Sequence, residues 1–161
     1  MLTSNNSLTG TLSRELENWK DLQEFAVDGN MLTGTIPTEI GTLNALTTFA
    51  VQNNRLTGTM PSWLGQLSNL YLIALGENLL SGTLPTEVGL MTGLQILGVN
   101  NNSLPGTLLK ELGNLTVLQY FDLSDNGFTG TFPNELVQSN DLIGLNASRN
   151  VLTGTIVISA Q

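Results

Sequence analysis

Residues 30–41, NMLTGTIPTEIG, recur as close copies along this chain of 161 residues. The copies are NRLTGTMPSWLG from Asn54, NLLSGTLPTEVG from Asn78, NSLPGTLLKELG from Asn102 and NGFTGTFPNELV from Asn126. Two columns keep a spacing of 24 residues through seven members each: Asn6, Asn30, Asn54, Asn78, Asn102, Asn126 and Asn150, and Gly10, Gly34, Gly58, Gly82, Gly106, Gly130 and Gly154. A constant period of this length is the signature of a solenoid, in which similar units stack on one another.

The repeat around Asn30 predicts the local structure of every unit. Phe25 and Val27 alternate with polar or small neighbours, which predicts a short strand with one buried face. After Asn30 the alternation resumes in LTGTIP, and Pro37 ends this second, shorter strand because it has no N–H to donate. That proline, Glu39 in the next turn and an early glycine predict a short 3₁₀- or α-helix.

The asparagine column is predicted to have a structural role. Each asparagine stands where the chain leaves the first strand and turns. Its side chain can bond to backbone groups that the turn leaves unpaired, in its own repeat and in the next. A ladder of such amides would tie the repeats together, and the stability would belong to the array rather than to one unit.

Composition excludes several classes of function. Thirteen acidic and five basic residues give a net charge of −8, which argues against a nucleic-acid partner or an anionic membrane surface. With no cysteine and no histidine, thiol nucleophiles, Ser-His-Asp triads, disulfides and Cys/His zinc sites are absent. No apolar run reaches the ~20 residues of a membrane span, so this segment itself is expected to make no membrane contact.

The pattern L-x-x-L-x-L-x-x-N-x-L-x-G-x-I-P-x-x-L-G resembles the plant-type leucine-rich repeat of 24 residues. LQEFAVDGNMLTGTIPTEIG, from Leu22, matches it with Phe25 and Val27 in two leucine positions, and GTIPTEIG is also similar to algal and diatom repeats. The class includes ectodomains of receptor-like kinases and receptor-like proteins. The resemblance implies an α/β repeat fold: a right-handed solenoid with a concave parallel β-sheet, short second strands at the TGT segments and short 3₁₀- or α-helices on the convex side. It also implies an extracellular or membrane-associated ectodomain that binds a protein or peptide.

Residues 1–161 are expected to form a single solenoid of about six repeats plus partial repeats at the ends. The cysteine-paired caps usual in the class are missing, and Leu109 and Val157 replace its usual proline. Met1 and Thr3 already occupy strand positions, so we expect a fragment of a longer array. The sequence holds no kinase signature; flanking repeats or a kinase domain would lie outside this chain.

The concave sheet is the first candidate for function. Its outward positions form three rows: Glu24, Thr48, Leu72, Ile96, Tyr120 and Gly144; Ala26, Ala50, Ala74, Gly98, Asp122 and Asn146; Asp28, Gln52, Gly76, Asn100, Ser124 and Ser148. Large apolar residues beside a small middle row would let a partner's backbone approach closely, although exposed hydrophobes also occur on sheets without any function. The predicted ligand-binding residues are Thr48, Gln52, Leu72, Ala74, Ile96, Asn100, Tyr120 and Asp122.

The Thr-Gly-Thr segments are the second candidate. Equivalent threonines of adjacent repeats would lie ~4.7–4.9 Å apart, and such a flat, uncharged array resembles the ice-binding faces of antifreeze solenoids. The alternative explanation is that threonine suits strands and belongs to the repeat consensus. The predicted ice-binding residues are Thr33, Thr35, Thr57, Thr59, Thr83, Thr107, Thr129 and Thr131.

A column of glutamates follows the second strands: Glu15, Glu39, Glu87, Glu111 and Glu135. Trp63 interrupts this column and no second acidic row lies beside it, so placement in the first turn of a helix explains it better than a metal site. We expect no metal, no other cofactor and no catalysis. The leading hypothesis is a non-catalytic protein- or peptide-recognition module, and ice binding is the alternative.

Overall fold

The computed structural model describes residues 1–137 and 141–155, in which each repeat contributes two strands and a short helix. The first strands of the repeats are β1 (Glu24–Ala26), β3 (Thr48–Ala50), β5 (Leu72–Ala74), β7 (Ile96–Gly98), β9 (Tyr120–Asp122) and β11 (Gly144–Asn146). The second strands are β2 (Thr33–Thr35), β4 (Arg55–Thr59), β6 (Leu79–Ser81), β8 (Pro105–Thr107), β10 (Gly127–Thr131) and β12 (Val151–Thr153).

The six first strands form one parallel sheet in chain order, which we call the concave sheet. Its register pairs residues one full repeat apart: Leu72 faces Ile96, and Ile96 faces Tyr120. Equivalent positions therefore stand side by side, and the first and middle predicted rows are in register. The third row follows the strands, and two of its members, Gly76 and Ser124, are buried and not outward-facing. This arrangement is what allows six short strands to present one continuous surface.

The core runs through all the stacked repeats. Alternate strand residues, such as Phe49, Ile73 and Phe121, are almost completely buried. Phe25 and Phe49, on adjacent strands, stack with ring centroids 5.8 Å apart. Each repeat covers the apolar residues of its neighbour, so burial is a property of the stack.

The asparagine ladder is present, and it connects each repeat to the preceding one rather than to the next. Nδ2 of Asn54 donates to the carbonyl oxygens of Val51 at 3.1 Å and, in the preceding repeat, of Val27 at 3.0 Å. Its Oδ1 accepts the backbone N–H of Leu32, also in the preceding repeat, at 2.9 Å. Asn30, Asn78, Asn102, Asn126 and Asn150 each repeat this pattern.

The residue before each column asparagine adopts a left-handed backbone conformation. Asn5, Asn53, Asn101 and Asp125 have φ values between 49° and 55°, as expected of residue types that tolerate this region. Glu77 and Arg149 adopt the same conformation, with φ of 54° and 53°. Long side chains rarely do so, and these two positions are therefore strained relative to their neighbours.

The second strands form two three-stranded parallel sheets, β2-β4-β6 and β8-β10-β12, which we call the threonine sheets. Their register differs from the expected one: Thr35 pairs with Thr57, and Thr59 pairs with Ser81. Partners are thus 22 residues apart instead of 24, because Arg55 N–H bonds back to the Leu32 carbonyl at 2.8 Å and sets this offset. Equivalent threonines are consequently staggered and do not stand directly opposite one another.

Short helices close the repeats, as predicted. Among the described residues, five are 3₁₀ helices, namely Arg14–Asn18, Thr38–Thr42, Ser62–Gln66, Thr86–Leu90 and Lys110–Asn114, and α1 spans Asn134–Val137. Pro37 precedes its helix with φ −69° and ψ 144°, and Leu109 takes the same extended conformation, with φ −84° and ψ 140°. Leucine can therefore replace the usual proline without redirecting the chain; Val157, the other replacement, lies outside the described residues.

Candidate recognition surface on the concave sheet

Three large apolar side chains stand in register across the concave sheet, and we call them the apolar stripe: Leu72, Ile96 and Tyr120. Leu72 and Ile96 are half-buried, whereas Tyr120 is 47% exposed. Neighbouring strands in a sheet are about 4.8 Å apart, so these three side chains form one continuous apolar band that remains partly exposed to solvent.

The middle row beside the stripe is partly closed. Ala26 and Ala50 are only 9% and 7% exposed, because an alanine methyl is shorter than the side chains of the rows on either side. Ala74 and Gly98 are half-buried and remain accessible. The small middle row is therefore accessible to a partner from β5 onward, next to the stripe, and is closed at Ala26 and Ala50.

Polar atoms with unused hydrogen-bonding capacity flank Ala50. Thr48 Oγ1 and Gln52 Oε1 are buried and have no hydrogen-bond partner among the described residues. A ligand that bonds to either group would break no internal hydrogen bond, so no hydrogen bond within the protein has to be exchanged for the new one. Asn100, the polar residue two repeats along, leans over Gly76: a side chain at Gly76 would collide with Asn100 Oδ1.

The predicted ligand-binding residues therefore form one surface. They lie on or directly after four consecutive strands, β3, β5, β7 and β9, with Thr48 and Gln52 at one end and Tyr120 and Asp122 at the other. The threonines of the alternative site lie on the threonine sheets, except Thr83, which follows β6, and they are not part of the concave sheet.

A cavity of about 290 Å³ lies at the Tyr120 end of the stripe. Tyr120, Asp122, Gly144 and Asn146 line it, together with Phe121 and Leu145 of the same two strands, β9 and β11. It exists because Gly144 has no side chain: a Cβ there would lie 2.7 Å from Cδ1 of Tyr120, whose ring extends over the glycine. Gly144 and Asn146 were placed in the rows from the sequence but were not predicted to bind.

Negative charge dominates the concave sheet. Glu24 and Asp122 lie on its strands, and Asp28 follows β1. The five basic residues are Arg14, Lys20, Arg55, Lys110 and Arg149, and none of them lies on the six concave strands. Arg149, which follows the concave strand β11, is already paired with Asp125 at 2.8 Å.

Two exposed apolar residues beside the stripe were missed by the sequence reasoning. Tyr71 and Ile143 directly precede β5 and β11, and they are 40% and 69% exposed. The sequence did carry a signal for them, because each is an apolar residue that directly precedes a first-row position. They were missed because the pattern assigns a strand and not its flanking residue to the surface.

The hydroxyl group that precedes the glycine of each Thr-Gly-Thr motif is used internally. Oγ1 of Thr33 donates to the Gly10 carbonyl at 3.1 Å, and Oγ1 of Thr57 donates to the Gly34 carbonyl at 3.3 Å. Ser81, Thr129 and Thr153 bond to the preceding repeat's glycine in the same way. The first threonine of each motif therefore connects repeats, which is a structural reason for its recurrence.

The second threonine of each motif packs on the glycine of the next repeat. A Cβ at Gly58 would lie 2.9 Å from the methyl group of Thr35, and Gly58 has a φ of 85° that side chains rarely adopt. The same contact recurs at Gly34, Gly82, Gly106, Gly130 and Gly154. In each motif, therefore, a threonine methyl group packs against a glycine of the next repeat, and this contact recurs along the stack.

The threonine face is interrupted in the middle of the chain. Between β6 and β8 only an isolated bridge, Ser81 to Ser103, continues the ladder. Pro105 stands where other repeats have threonine or serine, and it offers neither an N–H nor a hydroxyl to the preceding glycine. The predicted ice-binding residues are consequently divided between two sheets.

A second cavity, of about 350 Å³, opens at the first repeat. Its walls include Leu16, Phe25, Val27 and Leu32, which are core residues, and Trp19. In later repeats of the stack, the residues equivalent to these side chains are covered by the preceding repeat. This cavity is a feature of the core and lies apart from the outward rows of the concave sheet.

Neither a metal cluster nor a membrane span is found in the part of the chain that the structure describes. No group of three or more acidic side chains is placed to hold a metal ion among these residues. The glutamates of the column lie in the first turns of the short helices, as predicted, for example Glu39 and Glu87. No helix within residues 1–137 and 141–155 is long and apolar enough to cross a membrane.

Comparison with known proteins supports this reading of the fold. The family model described as Leucine Rich Repeat matches residues 45–67 and 117–139. No curated protein matches the sequence significantly. Solved structures match closely: the Arabidopsis receptor kinase HAESA, in complex with the peptide hormone IDA and the co-receptor SERK1, aligns with a TM-score of 0.92 and 38% identity over 96% of this chain and 26% of its own.

Two further ectodomains give similar values. The ectodomain of the membrane receptor kinase GASSHO1/SCHENGEN3 from Arabidopsis thaliana, in complex with CASPARIAN STRIP INTEGRITY FACTOR 2, has a TM-score of 0.91 and 33% identity over 94% of this chain and 18% of its own. The plant peptide hormone receptor RGFR1, in complex with RGF2, has a TM-score of 0.90 and 31% identity over 91% of this chain and 24% of its own. The present chain thus spans about a fifth to a quarter of the length of these receptors' matched chains.

A plant ice-binding protein shares the fold as well. It aligns with a TM-score of 0.87 over 94% of this chain and 57% of its own, at 24% identity. That identity is low enough that the likeness concerns the fold alone.

The stacked 24-residue repeats, the asparagine ladder and the matching structures define a leucine-rich-repeat solenoid with plant-type repeats. Within that class, the chain is similar to the ectodomains of plant leucine-rich-repeat receptor kinases.

Proposed function

We propose that this solenoid is a non-catalytic recognition module that binds an extended segment of a protein or peptide across its concave sheet. The observation that supports this most directly is the apolar stripe, in register on three adjacent strands beside an accessible small row. Burial of apolar surface is the main favourable term in association, and small residues beside it let a partner's backbone come close.

The polar surroundings of the stripe suit a peptide better than a small apolar molecule. Thr48 and Gln52 carry buried polar atoms without partners at one end. A peptide backbone supplies donors and acceptors all along its length, whereas an apolar molecule supplies none. Asn100 adds an amide near the middle of the surface.

The matched receptors support the same class of ligand. HAESA and RGFR1 are described in complex with the peptide hormones IDA and RGF2. We extend to this chain the expectation of a peptide or protein ligand, and of an extracellular or membrane-associated setting. Flanking repeats or a kinase domain would complete such a receptor outside this chain.

Selection of random linear peptides displayed on phage, followed by affinity measurement, tests the proposal. Ile96→Asp should weaken binding of the selected peptides about tenfold or more, because it places a charge in the middle of the apolar stripe. Leu79→Asp is the matched control, since Leu79 is a 60% exposed leucine on a threonine sheet. Equal loss in both variants, or no loss in Ile96→Asp, would contradict binding at the concave sheet.

Ice binding by the threonine sheets is the second candidate, supported by exposed threonines in every repeat. The internal hydroxyl bonds and the break at Pro105 weigh against it. Thermal hysteresis of the purified protein tests it: Thr35→Lys together with Thr59→Lys should abolish any hysteresis if this face binds ice, while Ile96→Asp should leave it unchanged. Hysteresis at the level of a buffer control would remove this candidate.

A further inference from the structure

We infer that the 290 Å³ cavity between β9 and β11 holds the guanidinium group of an arginine carried by the bound segment. We call this cavity the arginine cradle; its residues are Tyr120, Asp122, Gly144 and Asn146. The inference rests on the proposed recognition function, because the cradle lies at the end of the apolar stripe and would be reached by a segment lying along it.

The shape of the cradle follows from Gly144. Every other first-row position from Glu24 to Tyr120 carries a side chain, and Gly144 carries none. Tyr120 therefore leans across it, with Cδ1 only 2.7 Å from where a Cβ would be. The ring thus covers the glycine and forms one wall, and a flat group can lie against the exposed side of the ring.

The charge of the cradle comes from Asp122, whose carboxylate is held in place. Its Oδ1 accepts the backbone N–H of Ser124 at 3.0 Å and the Ser124 hydroxyl at 2.7 Å. Its Oδ2 accepts Nδ2 of Asn146 at 3.3 Å. These donors are all neutral, and a carboxylate oxygen that accepts a single bond retains capacity for another.

No cation of the described chain neutralises this carboxylate. The ion pairs among the described residues are Arg14 with Glu39 and Arg149 with Asp125. Arg149, which lies in the repeat after Asp122, is therefore already engaged. A positive charge for Asp122 has to come from the partner, and the net charge of −8 favours the approach of a basic segment.

The combination of an aromatic wall and a fixed carboxylate selects guanidinium over ammonium. A guanidinium is planar, is weakly hydrated, stacks on aromatic faces and presents several N–H donors at its edge. It can lie against the Tyr120 ring while its edge donates to Asp122 Oδ2. An ammonium is compact and strongly hydrated, so it would gain less from the ring.

The next repeat supplies the matched control for this carboxylate. Asn146 holds the position equivalent to Asp122, and its Oδ1 accepts the N–H of Ser148 at 3.2 Å and the Ser148 hydroxyl at 2.8 Å. An asparagine thus makes the same bonds to the serine two residues later as the aspartate does. Asp122→Asn should keep these bonds while it removes the charge of the cradle and the acceptor for Asn146 Nδ2.

Titration of the full chain with N-acetylarginine amide, followed by backbone amide NMR, tests the cradle. We expect saturable shifts centred on Tyr120, Asp122, Gly144 and Asn146, and none with the uncharged isostere N-acetylcitrulline amide. Asp122→Asn and Tyr120→Leu should each weaken the response about fivefold or more. N-acetyllysine amide should bind more weakly than the arginine derivative.

An equal response to citrulline, an unchanged response in Asp122→Asn, or no response to arginine at any of these amides would overturn the inference. A stronger response to lysine would overturn the choice of guanidinium. The proposed function fails by a different result: peptides selected on the protein that tolerate Ile96→Asp. If the selected peptides lose affinity for the Ile96→Asp variant but do not require an arginine, recognition by the concave sheet would stand and the arginine cradle would be ruled out.

Discussion

Oδ1 of Asn54 accepts the backbone N–H of Leu32, 22 residues earlier in the chain, at 2.9 Å. The same amide donates to carbonyl oxygens of its own repeat and of the preceding one. One side chain therefore satisfies backbone groups that two turns leave unpaired, inside a region where Asn54 is only 9% exposed. Repetition of this amide along the chain holds the concave strands in register and so keeps the stripe continuous.

Asn54→Ala should lower the free energy of unfolding by about 1–3 kcal/mol, because it leaves the buried N–H of Leu32 without an acceptor and removes one of the two amide bonds to each of the Val27 and Val51 carbonyl oxygens. Chemical denaturation followed by circular dichroism measures the change. Asn53→Gly is the control: Asn53 is exposed, its left-handed φ of 53° suits glycine, and its amide takes no part in the ladder. A similar loss in both variants would contradict the ladder's role.

Gly58→Ala should cost about 1–3 kcal/mol, because Gly58 has a φ of 85° and a Cβ would lie 2.9 Å from the Thr35 methyl group. Thr35→Ser removes that methyl group and should recover part of the loss in the double variant. Unfolding of both single variants and the double variant gives the coupling directly.

Gly93→Ala is the control for this cycle, since the nearest atom to a Cβ there is the Ser68 carbonyl oxygen at 3.6 Å. It should change stability by less than about 0.5 kcal/mol. Strict additivity of Thr35→Ser and Gly58→Ala would mean that the methyl-on-glycine contact does not constrain the threonine sheets.

Glu77→Asn should raise the free energy of unfolding by about 0.5–1 kcal/mol. Glu77 has a φ of 54°, and asparagine tolerates that left-handed conformation much better than glutamate does. Glu77→Gln removes the charge but keeps the long side chain, so it should give little gain. Equal stabilisation by both variants would locate the effect in charge repulsion and not in backbone strain.

The fold was predictable because its determinants are local and repeated. The columns of Asn30 and Gly34 set the period, and the alternation around Phe25 places the first strand and its buried face. Since stacked strands with a common period align equivalent residues, the rows through Leu72 and Ile96 followed without further information. Stacking also predicted an internal role for the column asparagine.

Features that depend on side-chain direction were not predictable in the same way. The offset pairing of Thr35 with Thr57 arises from backbone bonds between repeats, which the period alone does not specify. The sequence also does not reveal that Thr57 donates its hydroxyl to Gly34, or that Tyr120 leans over Gly144. Such contacts are decided by which rotamer the neighbouring repeat leaves room for.

Paramagnetic relaxation mapping of a bound peptide tests the central claim most directly. A selected peptide carrying a nitroxide label, added to the isotope-labelled chain, should broaden the backbone amides of β5, β7 and β9, with the short helices and the threonine sheets unaffected. Broadening centred on β4 and β10, or on the helix Thr86–Leu90, would contradict recognition by the concave sheet.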